Sequence, residues 1–188
     1  MENICLILFD IDGVIRNVEN SYRLSLKKTV YRFCGWEPSY KDIDNAKNEG
    51  IWNNDWDLSQ ELIKRYIISK KLKLQPPQRD DIVRCFESFY FGENLNDNSN
   101  NWTGFIKNEE LLVRKDFFSD LSSKGIIWGF ISGAERASAK FVLETRLKLQ
   151  SPPLITMGDA PDKPNPKGLI YLARKLCQKE LGPTNISI

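Results

Sequence analysis

Apolar and polar positions change rhythm along the chain, and the changes divide it into elements. Residues 4–9, Ile-Cys-Leu-Ile-Leu-Phe, form an unbroken apolar run, as expected of a strand buried on both faces of a parallel sheet. From about Asn17 to Trp102 the period becomes helical. Asn20 or Ser21 is placed to cap a helix carrying Tyr22, Leu26, Val30 and Phe33, and Gly35 stops it. Asp57 with Gln60 three residues on reads as a capping box for a second helix, striped by Leu62, Ile63, Tyr66 and Ile67 and ended by Pro76-Pro77. A third spans 79–91, with Ile82, Val83, Phe86, Phe89 and Tyr90 facing inward and Gly92 behind it. Residues 93–101, dense in Asn and Asp, read as a loop and a boundary.

Beyond that loop, strand and helix alternate. Asn108 is read as the cap of a helix reaching Lys124, Gly125 closes it, and 126–131 is a second buried strand ending in Ser132-Gly133. A helix follows over 135–147, then a short strand over 154–157. Asn165-Pro166 opens a helix to about Glu180, and residues 185–188 begin a fourth strand. Helices between strands predict an α/β fold: a Rossmann-like parallel sheet core, residues 1–16 and 103–188, with an inserted α-helical cap over 17–102.

Composition narrows the chemistry. The chain has 188 residues, 27 basic and 25 acidic, so a net charge of +2 provides no strong field for nucleic acid or an anionic membrane. Glu2 stands where a signal peptide would be basic, and no apolar run reaches bilayer length, which points to the cytoplasm. The four cysteines are scattered singly among apolar neighbours and read as reduced, buried thiols. Histidine is absent. That removes Ser-His-Asp and Cys-His relays and His-ligated metals, leaving Asp, Glu, Lys, Tyr or Cys for proton transfer. Any metal is most simply a hard cation on oxygen, such as Mg²⁺.

Three strand ends then carry matching chemistry. Asp10 and Asp12, two residues apart, both reach the crevice at the end of the first strand, and Gly13 turns the chain away. Ser132-Gly133 closes the second strand, and Lys163 follows the third. A carboxylate nucleophile, an acid/base carboxylate, a hydroxyl beside a main-chain N–H and an ammonium are the inventory for phosphoryl transfer.

With Phe-Asp-Ile-Asp-Gly-Val, Phe-Ile-Ser-Gly and Asp-Lys-Pro-Asn-Pro-Lys-Gly in this order, the chain resembles the haloacid dehalogenase superfamily over nearly its whole length. The resemblance implies Asp10 as the nucleophile that becomes an aspartyl-phosphate and Asp12 as the acid and base. It implies Ser132 and the Gly133 N–H as phosphate holders, Lys163 as a charge neutraliser, and Mg²⁺ on the Asp10 carboxylate and the Asp12 main-chain carbonyl. Aspartate at position 12 favours phosphate chemistry over dehalogenation, and the helical insert resembles the cap of the phosphoglycolate-phosphatase-like branch, subfamily IA. The implied partner is a small phosphorylated metabolite.

In such proteins a cap loop discriminates substrates, which makes Asn54, Asp55 and Trp56 candidates. The other reading of these three is a capped helix start with Trp56 packed inward. Arg16 either reads substrate from beneath the cap or faces solvent. The superfamily's last acidic motif follows a fourth strand, whereas this sequence reaches Ile188 at that point, so the expectation is a C-terminally shortened chain with impaired turnover. Gly158-Asp159-Ala160-Pro161-Asp162 reads as the loop presenting Lys163, with Asp159 or Asp162 near the metal as the alternative. Hydrolysis competes with a non-catalytic phosphate-binding remnant and, more weakly, with a phosphomutase.

Overall fold

The computed structural model describes residues 5–52, 54–92 and 99–181. In chain order the elements begin β1 (Leu6–Phe9), β2 (Arg16–Asn17), α1 (Tyr22–Cys34), α2 (Tyr40–Lys47), α3 (Asp55–Ser69) and α4 (Arg79–Tyr90). They continue β3 (Glu110–Leu111), α5 (Lys115–Ser123), β4 (Ile127–Ile131), α6 (Arg136–Lys140, running on as π-helix through Phe141–Arg146), β5 (Leu154–Ile155) and α7 (Lys167–Leu181). Two compact units result: residues up to Asn17 with those from Glu110 onward, and Val18–Glu109.

The first unit is built on a parallel sheet of order β1-β4-β5. Its apolar runs sort onto two faces by the period-two alternation of a strand. Leu6 and Leu8 of β1 and Ile127 and Ile131 of β4 pack with Ile155, Leu172 and Leu176, the last two from α7. On the opposite face Phe9, Trp128 and Phe130 meet Phe118 of α5, with ring centroids 4.9–5.7 Å apart. Helices thus lie on both faces, in keeping with the continuous apolar runs, but the cover is partial: all four residues of β1 are half-buried, and of β4 only Gly129 and Phe130 are buried.

Helix α5 starts at Lys115, not at Asn108 as the sequence suggested. Glu110 and Leu111 instead pair antiparallel with Asn17 and Arg16, and the Leu112 N–H donates to the Ile15 carbonyl at 2.9 Å. The fourth strand expected over 185–188 lies outside the described residues, as does most of the 93–101 loop. Residues 99–101 of that loop form a 3-10 turn.

The second unit is helical. Leu26, Val30, Leu58, Leu62, Ile63, Ile82 and Phe86 are buried in it, and Tyr22 stacks on Tyr90 at 4.3 Å. The sequence reading missed α2, whose N-terminus is a capping box. The Asp42 N–H donates to the Ser39 hydroxyl, and the Ser39 N–H donates to the Asp42 carboxylate. Asp57 does not cap α3. Asn54 does, one turn earlier, accepting from the N–H groups of Trp56 and Asp57. The unit runs on to Glu109, past the 102–103 boundary read from the sequence, because Trp102 and Ile106 are buried in it. Glu109 is buried too, accepting from the Ser21 hydroxyl at 2.6 Å and the Tyr90 hydroxyl at 3.1 Å. Among the described residues no helix is long and apolar enough to cross a membrane.

Candidate active site

Parallel register brings the residues singled out in the sequence to one edge. Phe9 pairs with Phe130 and Phe130 with Leu154, so Asp10, Ser132 and the loop after β5 all leave the sheet at its carboxyl end. In open α/β sheets this is where ligands bind. The Ser132 N–H still donates to the Ile155 carbonyl at 2.9 Å, and its buried hydroxyl accepts from the Ala134 N–H at 3.0 Å.

Asp10 is fixed at both oxygens. Oδ1 accepts from the Ile11 N–H at 2.8 Å, and Oδ2 pairs with Lys163 Nζ at 2.9 Å. Each side chain of that pair is 42% exposed, so the contact is open to solvent and to a ligand, and contributes little to stability. Gly133 lies beneath the same lysine: a Cβ there would sit 3.9 Å from Lys163 Cε. Asp10, Gly133 and Lys163 are thus brought together from three separate segments.

Between β1 and β2 the chain folds back on itself. Gly13, at φ +78°, adopts a left-handed conformation that a side chain would strain. The Ile11 carbonyl then accepts from the N–H groups of Ile15 at 2.8 Å and Arg16 at 3.2 Å, which carries Arg16 back toward Asp12. Arg16 is wholly buried. Its Nε donates to Asp12 Oδ1 at 2.8 Å, and Nη2 both lies 2.7 Å from the same oxygen and donates to Ser138 Oγ at 2.9 Å. Neither sequence reading of Arg16 survives this placement. It does not face solvent, and a buried guanidinium bonded to Asp12 and Ser138 is not offered to a substrate. The spacing of four between Asp12 and Arg16 was the one signal available in the sequence.

Asn54, Asp55 and Trp56 lie at the start of α3. Asn54 is the N-cap of α3, Asp55 pairs with Lys47 at 2.7 Å, and Arg79 lies 5.4 Å over the Trp56 ring. All three side chains have partners within the helical unit; the helix start is capped, as one of the two readings had it, but Trp56 is half-buried rather than packed inward.

Asp159 does not reach for a metal either. It accepts from Arg136 Nη2 at 2.6 Å and from the Thr156 N–H and hydroxyl at 2.8 Å each, tying the Lys163 loop to the start of α6. Arg136 beside it, with help from Thr156, holds its carboxyl at about 2, below the ordinary 3.8. A lowered folded-state value means the contribution is present above the ordinary value and disappears as pH falls toward 2. The gap in melting temperature between wild type and Asp159→Asn should therefore be widest above about pH 5 and close toward pH 2. Thermal unfolding followed by circular dichroism at several pH values checks this, and a gap indifferent to pH would contradict the clamp.

The thiols are less buried than the sequence suggested. Cys34, Cys85 and Cys177 are half-buried, but Cys5 is exposed at the start of β1. Burial raises the Cys34 and Cys85 thiols above their ordinary value, which makes them poor nucleophiles.

Comparison with known proteins bears on the fold. The chain superimposes on a phosphatase from Thermococcus thioreducens with a TM-score of 0.70 and 23% identity, covering 90% of this chain and 79% of that one. It superimposes on a haloacid dehalogenase-superfamily hydrolase of subfamily IA from Geobacter sulfurreducens with a TM-score of 0.53 and 13% identity, covering 92% and 72%. In sequence it is 29% identical over 174 residues to an imidazoleglycerol-phosphate dehydratase of Phytophthora nicotianae, covering 90% of this chain but 36% of that protein. The chain thus spans about a third of the length of this curated relative. No family model matches it.

Proposed function

We propose that this chain, which has the fold of the haloacid dehalogenase superfamily, is a phosphomonoesterase acting on a small phosphorylated metabolite. The observation that carries the reading is the 2.9 Å pair between Asp10 and Lys163, made at the carboxyl edge of the sheet beside Gly133. An ammonium there lowers the repulsion between a carboxylate and an incoming phosphate dianion, while Ser132 and the Gly133 N–H supply donors for its oxygens. An Asp10 oxygen attacks phosphorus, and the ester P–O bond breaks. The departing oxygen takes a proton from Asp12. Water then attacks the same phosphorus and gives its proton back to Asp12. The bond to Asp10 breaks, freeing inorganic phosphate and restoring both aspartates.

Mg²⁺ fits the donor set. Among the described residues no cluster of three or more His, Cys, Asp or Glu forms a closed cage. This ion needs none, since one or two carboxylates with water and substrate phosphate commonly complete its shell. The Asp10 carboxylate and the Asp12 main-chain carbonyl would hold it, and when bound it supplies positive charge to the transferring group. The names of the similar proteins, a phosphatase and an enzyme of a phosphorylated small molecule, support the substrate class.

Release of phosphate from 4-nitrophenyl phosphate with Mg²⁺ tests the reading. Lys163→Met should lower kcat/KM by about 10²- to 10³-fold, the usual cost of one lost charge-stabilising donor. Equal rates in variant and wild type would defeat it. A wild type that binds phosphate but never releases it from an ester would mark a phosphate-binding module instead.

A further inference from the structure

We propose that Arg16 is a positioning residue for Asp12, holding that carboxylate by one oxygen so that the other is free to carry the proton; this rests on the phosphatase reading above. Asp12 stands just past β1 in a tight turn, its side chain 30% exposed, whereas Arg16 is fully buried. Two guanidinium nitrogens meet Asp12 on Oδ1, at 2.8 and 2.7 Å, leaving Oδ2 outside the clamp. Two donors of one rigid, planar guanidinium converging on the same oxygen fix where Oδ1 sits, which a single ammonium on a flexible stem does less well.

The clamp is anchored from a second direction. Arg16 Nη2 also donates to the buried hydroxyl of Ser138, on the helix that follows Ser132 and Gly133. The acid/base group and the phosphate-holding loop are therefore tied through one buried side chain. Proton transfer depends steeply on placement, and a displacement of about 1 Å costs on the order of 10²-fold. Because Arg16 touches neither reacting atom, its effect should appear only where the proton matters.

Leaving-group chemistry separates that role from a merely structural one. Departing 4-nitrophenolate is stable without a proton, while an alkoxide from glycerol phosphate is not. Arg16→Gln should lower kcat/KM for glycerol phosphate by about 30- to 100-fold and for 4-nitrophenyl phosphate by less than about 3-fold. Arg16→Lys, which restores the charge and one donor, should recover part of the loss. Ser138→Ala should give the same split at smaller size. Equal losses on both esters, or none on either, would overturn the proposal.

Two readouts stand apart from turnover. The Arg16 Nε–H signal in NMR should exchange slowly with solvent, speeding by about tenfold or more in Asp12→Asn but not in Asp10→Asn. A signal indifferent to Asp12 overturns the clamp even if Arg16→Gln fails to fold. Beryllium fluoride with Mg²⁺, followed by ¹⁹F NMR, should bind equally to wild type and Arg16→Gln. A wild type that neither binds it nor hydrolyses either ester refutes the phosphatase reading, and the proposal with it. One that binds but hydrolyses nothing refutes the proposal, because Asp12 then has no proton to move.

Discussion

Asp10→Asn is expected to reduce phosphomonoester hydrolysis by on the order of 10⁴-fold or more, the scale seen when a covalent nucleophile is removed. An amide oxygen is a far weaker nucleophile, and the amide withdraws the negative charge that Lys163 meets at 2.9 Å. Stability should scarcely change. The pair is 42% exposed on each side, so water solvates the freed ammonium, and the melting temperature should stay within about 2 °C of wild type. Acid-quenched protein from a reaction with labelled substrate should carry one covalent phosphate in wild type and none in the variant. Turnover retained in Asp10→Asn would place the nucleophile elsewhere and remove the central chemistry of the proposed function.

The same residue shows what was legible in the sequence. An apolar strand running into Asp-x-Asp-Gly has a meaning set by local rules: period two, a crevice at the strand end and a glycine for the turn. Asp10 does follow β1 directly, and Lys163 lies 2.9 Å from it, a contact that the local pattern by itself did not give. The sheet core was readable because β1 and β4 meet apolar partners on both faces and are apolar throughout, although most of their residues are half-buried. The ribbon of β2 and β3 was not. Two residues on each side have no measurable period, and their pairing is a tertiary fact that overrode the helix suggested at Asn108. The cap of α3 was misplaced by one turn because Asn54 and Asp57 are both good caps, and only backbone conformation chooses between them. Arg16 was misjudged for a deeper reason. Arginine is rarely buried, and Ser138, one of the partners that satisfy it, is 122 positions away in the sequence.

A second large effect is expected from a residue outside the candidate site. Gly104→Ala should destabilise the helical unit by about 3 kcal/mol or more, lowering the melting temperature by roughly 6–12 °C. Thr103 and Gly104 both donate their N–H groups to the Phe91 carbonyl, at 3.1 and 2.9 Å, drawing this segment against the end of α4. A Cβ on Gly104 would lie 2.4 Å from the Tyr90 carbonyl oxygen and 2.5 Å from the carbonyl carbons of Tyr90 and Phe91. Those are backbone atoms of a helix end, which cannot rotate aside. Relief would require separating the segment from α4, at the cost of both hydrogen bonds and of the contact between Phe91 and Trp102, whose rings lie 4.4 Å apart. Gly129→Ala is the instructive control. Its Cβ would meet only side-chain ends, Leu176 Cδ1 at 3.0 Å and methyls of Leu172 and Leu8 at 3.4 Å, so the loss should be smaller, about 1–2 kcal/mol. Urea or thermal denaturation of the two variants distinguishes them. If Gly104→Ala unfolds no more easily than Gly129→Ala, the close approach of this segment to the end of α4 is wrong.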